Sequence, residues 1–242
     1  MSHFPQPHLH GRNFNHLRHD NRAAQPAHAR RGSPMSNRAR SVQRNLQLPY
    51  MPPESWHEPI ADGRAYKILA QPAGTGYRHV LTPEEIRARL GQFPAEITAK
   101  LEIVQLSRMT MKKTRFPCYG MQWGTTLYLY PIEETLVEHY AATPSPAQFT
   151  EAKMFGGTWE CDSSGAYTLI WTEATIKDFY LNNILIHELG HLVDERNTRS
   201  IDRERYAEWF ALEYGYKPTQ AQRRARQKPS TRRHGKQSFH AA

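Results

Sequence analysis

Apolar positions recur with helical spacing most clearly in the last third of the chain, at Leu181, Ile184, Leu185, Leu189 and Leu192. They predict a helix that starts with Thr175 as N-cap and Asp178 near N3. A polar connection, Asp194 to Ser200, leads to a second helix predicted over Asp202 to Tyr214. Its inward stripe is Ala207, Phe210, Ala211 and Tyr214, at i, i+3, i+4 and i+7. Gly215 suits the C′ position and Pro218 is expected to block continuation.

Upstream, Thr82-Pro83-Glu84-Glu85 opens a short helix that ends at Gly91, with a cap, a proline at N1 and a capping box. Leu101 to Leu106 and Thr125 to Tyr130 pattern as strands, the second stopped by Pro131. A third strand is expected at Tyr167 to Trp171, after the Ser163-Ser164-Gly165 turn. Arg108 to Arg115 and Ala141 to Pro146 pattern as loops. Thr135 to Tyr140 fits a helical turn and a strand equally. The elements predict an α+β domain with a small mixed sheet packed on the first of the two late helices.

That helix carries His187-Glu188-Leu189-Gly190-His191, an H-E-x-x-H sequence. Residues four apart on a helix lie about 40° apart around the axis and roughly 6 Å along it. Two imidazoles so placed can share one zinc ion, and Glu188 can reach a water on that ion as general base. On the following helix, Glu204 and Glu208 border the alanine-bearing stripe, an unusual place for two carboxylates on a plain amphipathic helix.

Charge divides the chain. Residues 1–50 carry a net +7 and residues 217–242 a net +8, whereas 51–216 carry −6 of the overall +9. Residues 1–50 are poor in aliphatic side chains, and a disordered basic tail is expected there, followed by a folded domain over 51–216 and a second disordered basic tail over 217–242. The tails suit loose, non-specific contact with nucleic acid or another polyanion. The six histidines of residues 1–50 have no regular spacing and suggest adventitious metal binding. Cys118 and Cys161 are expected to be idle reduced thiols rather than a disulfide framework. No signal-peptide core and no run of about 18 apolar residues is present, so a cytoplasmic protein without a membrane span is expected.

His187-Glu188-Leu189-Gly190-His191 followed by Glu204-Arg205-Tyr206-Ala207-Glu208 resembles the gluzincin metallopeptidases over roughly residues 165–215. In that group a glutamate from a later helix completes H-E-x-x-H. The resemblance implies a minimal zincin-like domain with Zn2+ on His187, His191 and Glu204, Glu188 as the catalytic base, and Glu208 as an acid that orients a ligand histidine. It implies hydrolysis of a peptide or protein substrate by zinc-activated water. Two departures stand out: the interval from His191 to Glu204 is short for the group, and Glu208 stands where Asp is commoner. The longer metzincin motif fits poorly, because Asp194 and Asn197 occupy its glycine and third-histidine positions. Apart from peptidase activity, the sequence allows a zinc-binding, non-proteolytic adaptor that holds polyanions through its tails. A metal-free nucleic-acid-binding domain fits least, since the basic charge lies outside the body.

Overall fold

The structure is a computed structural model that describes residues 52–53, 57–58, 65–115, 118–140 and 142–227. The histidine-rich segment and the chain after 227 lie outside the described residues, as do the expectations made for them. In order, the elements are β1 (Lys67–Ala70), β2 (Tyr77–Arg78), α1 (Pro83–Leu90), α2 (Ala95–Thr98), β3 (Ile103–Leu106) and α3 (Met111–Arg115). Next come β4 (Gly120–Trp123), β5 (Thr126–Leu129), β6 (Ile132–Glu133), β7 (Val137–Tyr140), α4 (Pro146–Met154), β8 (Thr158–Cys161) and β9 (Tyr167–Ile170). The chain continues through α5 (Glu173–Phe179), α6 (Leu185–Val193), α7 (Ser200–Phe210) and α8 (Lys217–Gln227). Two π-helical stretches, Tyr180–Ile184 and Ala211–Tyr216, join α5 to α6 and α7 to α8. The architecture is mixed α+β, with small sheets.

The largest sheet has the order β1-β3-β5-β4; β1, β3 and β5 run parallel and β4 is an antiparallel edge. Its central strands are apolar almost throughout, and every residue of β3 and β5 is buried, as strands covered on both faces require. Thr126 and Gln105 are the buried polar side chains there; Gln105 Oε1 lies 2.8 Å from His57 Nε2 and its Nε2 donates to Ser107 Oγ at 3.0 Å. Helix α6 packs beneath β4 and β5 and against α7. An antiparallel sheet β7-β9-β8 and a β2-β6 ribbon complete the β structure.

Local signals explain most boundaries. Helix α1 has the expected Thr82–Glu85 capping box and Pro83 in its first turn. Gly91 closes it with a right-handed φ of −65°, so its lack of a side chain is not needed for the backbone there. The Arg108–Arg115 stretch is not all loop. Thr110 Oγ1 accepts from Lys113 N at 3.2 Å and starts α3, whose Lys113 is buried over the Tyr130 ring. The ambiguous Thr135–Tyr140 stretch resolves into β7, paired with β9. Its Glu138 is buried and accepts from Tyr119 OH and Trp171 Nε1, at 2.8 and 2.9 Å. The loop expected over residues 141–146 ends at a Ser145–Gln148 capping box, which opens α4 over residues for which the sequence pattern predicts no element. The late helix begins at Thr172 rather than Thr175, because β9 ends at Ile170 and Thr175 serves as the N3 partner of the earlier threonine.

The C-terminal boundary needs the largest correction: residues 217–227 form α8 and do not begin a disordered tail. Pro218 has no N–H for the carbonyl of Tyr214, and Arg89 Nη2 donates to that oxygen instead, at 2.6 Å. Thr219 Oγ1 serves Gly215 O, and Arg223 Nη1 serves Tyr216 O, both at 2.7 Å. With these carbonyls satisfied by side chains, the helix passes the proline. Arg223 is 5% exposed, pairs with Asp178 through Nε and Nη2 at 2.8 and 2.9 Å, and stacks between Phe155 and Tyr216. Asn182 extends the network by donating to Asp178 and accepting from Arg89 Nε, both at 2.7 Å.

Candidate metal centre

Helix α6 is buried on nearly every side, including at His187 and Glu188, each 7% exposed. Gly190 sets the distance to the next helix. A Cβ there would lie 3.0 Å from both Ala207 Cα and Phe210 Cβ, so the small residues at 190 and 207 let the two helices nearly touch. Glu204, one turn before Ala207, is thereby brought to the histidines.

The three side chains converge. His187 Nε2 and His191 Nε2 are 3.1 Å apart, and the Glu204 oxygens lie 3.5 Å from His187 Nε2 and 3.4 Å from His191 Nε2. A tetrahedron with metal–ligand bonds of ~2.0–2.1 Å has edges of about 3.3 Å. Each imidazole nitrogen is near that spacing from the other and from one of the two Glu204 oxygens, one ligand atom from each residue lies within 4.8 Å of the others, and the donor set of two imidazoles and a carboxylate is one that zinc favours. The residues present therefore fit a zinc ion.

The short interval between His191 and Glu204 is spanned by a capped turn. The Asp194 carboxylate accepts from the backbone N–H groups of Arg196 and Asn197 and from Asn197 Nδ2. Asp194 is thus committed to its own loop, and Glu195 pairs with Lys100. Arg203 Nη2 donates to His191 O at 3.2 Å and to Gln122 Oε1 at 3.3 Å, tying α7 to the end of α6 and to β4. Glu208 lies one turn beyond Glu204 at an exposed position.

Electrostatics couple the cluster. Burial pulls the His191 pKa down, but its bond to Glu204 and the charges of Glu188 and Glu204 outweigh that and raise it above the usual value. Burial pushes Glu204 up, yet its bonds to His187 and His191 prevail and hold it well below the usual carboxylate range.

Gly120, the first residue of the edge strand, lies directly against Glu188. The sequence offers only a weak signal for it: a glycine in a strand often marks a close approach. Arg203 carries no motif and becomes visible only once α6 and α7 are docked. Tyr214 packs on Phe210 and Tyr216 on Phe155. Tyr206 lies beside Trp209 under the Arg196 guanidinium, and His139 is exposed beside Thr168. Cys118 and Cys161 are not joined in a disulfide; Cys118 Sγ accepts from Lys113 Nζ at 3.0 Å. No described helix is long and apolar enough to cross a membrane.

No family model, curated protein or solved structure matches the chain.

Proposed function

We propose that the protein is a zinc-dependent peptidase of gluzincin type, with His187, His191 and Glu204 as metal ligands and Glu188 as general base. The observation that carries this reading is the convergence of three donor groups from two helices, with His187 Nε2 and His191 Nε2 3.1 Å apart, each within 3.5 Å of a different Glu204 oxygen, and a buried glutamate beside them. When bound, zinc supplies Lewis-acid activation of a water and of the scissile carbonyl. Glu188 takes the proton of the attacking water and returns it to the leaving amine. Its burial beside β4 keeps the carboxylate in a fixed position. The outer edge of β4 offers main-chain groups to an extended peptide, which would add to the sheet as a further strand. Glu208 is assigned the holding of a ligand histidine, a role its substitution can test.

The deciding experiment is metal analysis and peptide hydrolysis on the full chain and on Glu188→Gln. The wild type should hold about one zinc at this centre and cleave peptides. Glu188→Gln should keep the metal and lose cleavage. Zinc-free protein after refolding with excess zinc would overturn the reading. Zinc retention with no cleavage of a broad peptide mixture by the wild type would favour a non-proteolytic zinc protein, with the basic tails as its polyanion contact.

A further inference from the structure

A cavity of about 700 Å3 opens beside the centre, between the β4–β5 turn, the residues leading into β3, and the ends of α6 and α7. His191 forms part of its wall, so a molecule lying in it borders the metal ligands. Its charged groups fall into two kinds. Asp194 is held by N–H donors of its own loop, Glu195 by Lys100, and Glu102 accepts from Thr125 Oγ1 at 2.9 Å. Arg203 differs. Its Nη2 is anchored to His191 O and Gln122 Oε1, its Nε is enclosed with no acceptor, and its Nη1 makes no hydrogen bond. No carboxylate among the described residues pairs with this guanidinium.

With Nη2 engaged twice and Nε enclosed, Nη1 is the nitrogen Arg203 has left to donate, and a carboxylate accepting from it gains a charge-assisted bond even though Glu102 and Asp194, held by neutral donors, line the same cavity. Arg203 is also adjacent to Glu204 in sequence and bonded to the backbone of His191. Any group it holds is therefore positioned relative to the metal ligands by direct contacts.

We propose that this cavity recognises a carboxylate of the substrate, seated on Arg203, while the scissile bond lies at the metal centre. The inference rests on the peptidase reading and names its substrate class: peptides with a carboxylate near the cleaved bond. That carboxylate is either the free C-terminus or an acidic side chain.

The test is calorimetric binding to the zinc-loaded, full-length Glu188→Gln protein, which retains ligands without turning them over. Three probes distinguish the sources: acetyl-tetraalanine with a free C-terminus, the same peptide amidated, and an amidated version with one internal Glu. The free acid or the Glu peptide should bind at least about tenfold tighter than the plain amide, the former indicating a terminal carboxylate and the latter a side chain. Arg203→Gln should abolish that preference, and Arg203→Lys, which keeps the charge and the helix tie, should retain part of it. Equal binding of all three probes, or no binding of any, would overturn the proposal, as would a preference unchanged in a folded, zinc-loaded Arg203→Gln protein. Hydrolysis by the wild type is read separately. Cleavage without carboxylate preference sinks this inference and keeps the peptidase; an Arg203-dependent preference without cleavage keeps the pocket and sinks the peptidase.

Discussion

Gly120 lies so close to Glu188 that a Cβ on it would sit 2.9 Å from both Cγ and Oε1 of the glutamate, and 2.7 Å from Ile184 Cγ2. The edge strand and the proposed base therefore fix each other's positions. Gly120→Ala should displace Glu188 or lift β4, and a shift of about 1 Å at a catalytic group can cost about 100-fold in rate. Zinc content should stay near the wild-type value. Unchanged hydrolysis in the alanine variant would show that the contact is slack.

Ligand assignment can be separated by substitution. Glu204→Ala should weaken zinc binding far more than Asp194→Ala or Glu195→Ala, because those two are engaged by their loop and by Lys100. Glu208→Ala should cost roughly 10–100-fold in affinity or activity if it orients a histidine. Competition with a chromogenic chelator measures all four. A smaller loss for Glu204 than for Asp194 would remove Glu204 from the ligand set.

Zinc affinity should rise with pH. In the metal-free protein the raised His191 pKa contributes stability that is fully present below 6.5 and lost as pH climbs through its folded value. The depressed Glu204 pKa contributes stability present above 4.5 and lost as pH falls through its folded value. A proton on His191 must leave before metal binds, so affinity should increase from about pH 6 to about pH 8 by roughly tenfold for each proton displaced per unit. Chelator competition at those two pH values checks it, and a flat profile would contradict the coupling.

The C-terminal helix should be needed for stability. Ending the chain at Tyr216 removes Arg223 and leaves Asp178 buried without its guanidinium. Breaking a buried pair from one side typically costs about 3–5 kcal/mol, and Arg223→Met should lose a similar amount in denaturant unfolding. A loss below about 1 kcal/mol would mean that water reaches Asp178 and replaces the pair.

The elements legible in the sequence are those with strong local signals: the α1 capping box, the alternation over residues 101–106, the β-formers of residues 125–130, the turn that precedes β9, and the two late helices. The H-E-x-x-H spacing places His187 and His191 on one helix face, and a Glu204 oxygen lies within 3.5 Å of each Nε2. What escaped were features decided by tertiary partners. Strand β4, Gly-Met-Gln-Trp, is half-buried at every position and carries neither an apolar run nor β-branched residues to mark it. Helix α8 looked forbidden because Pro218 and Gly215 normally end a helix, and nothing local reveals that Arg89, 125 residues earlier, supplies the missing donor. Arg203 and Gly120 gain their roles only when α6, α7 and β4 meet.

The two π-helical stretches lie side by side, and the carbonyl of Asn182 in one presses on Gly215 in the other, where a Cβ would fall inside its van der Waals envelope. In each, a hydrogen bond spans five residues, from Leu185 N to Tyr180 O and from Lys217 N to Leu212 O. Such a widened turn accommodates one residue more than an α turn, and each residue of an α-helix advances the chain by about 100°. The first stretch thus acts as a phase shifter: α5 can face the core with Ile176 and Phe179 while His187 and His191 face Glu204. A regular α turn built on all the present residues from Tyr180 to Ile184 would swing both imidazoles away by about that angle, whereas deleting one residue there would restore a regular helix with the flanking faces near their present phase. Regularising the turn either way would withdraw the Asn182 carbonyl from its glycine, so the aim of the histidines and the seating of the C-terminal helix meet in one shared irregularity.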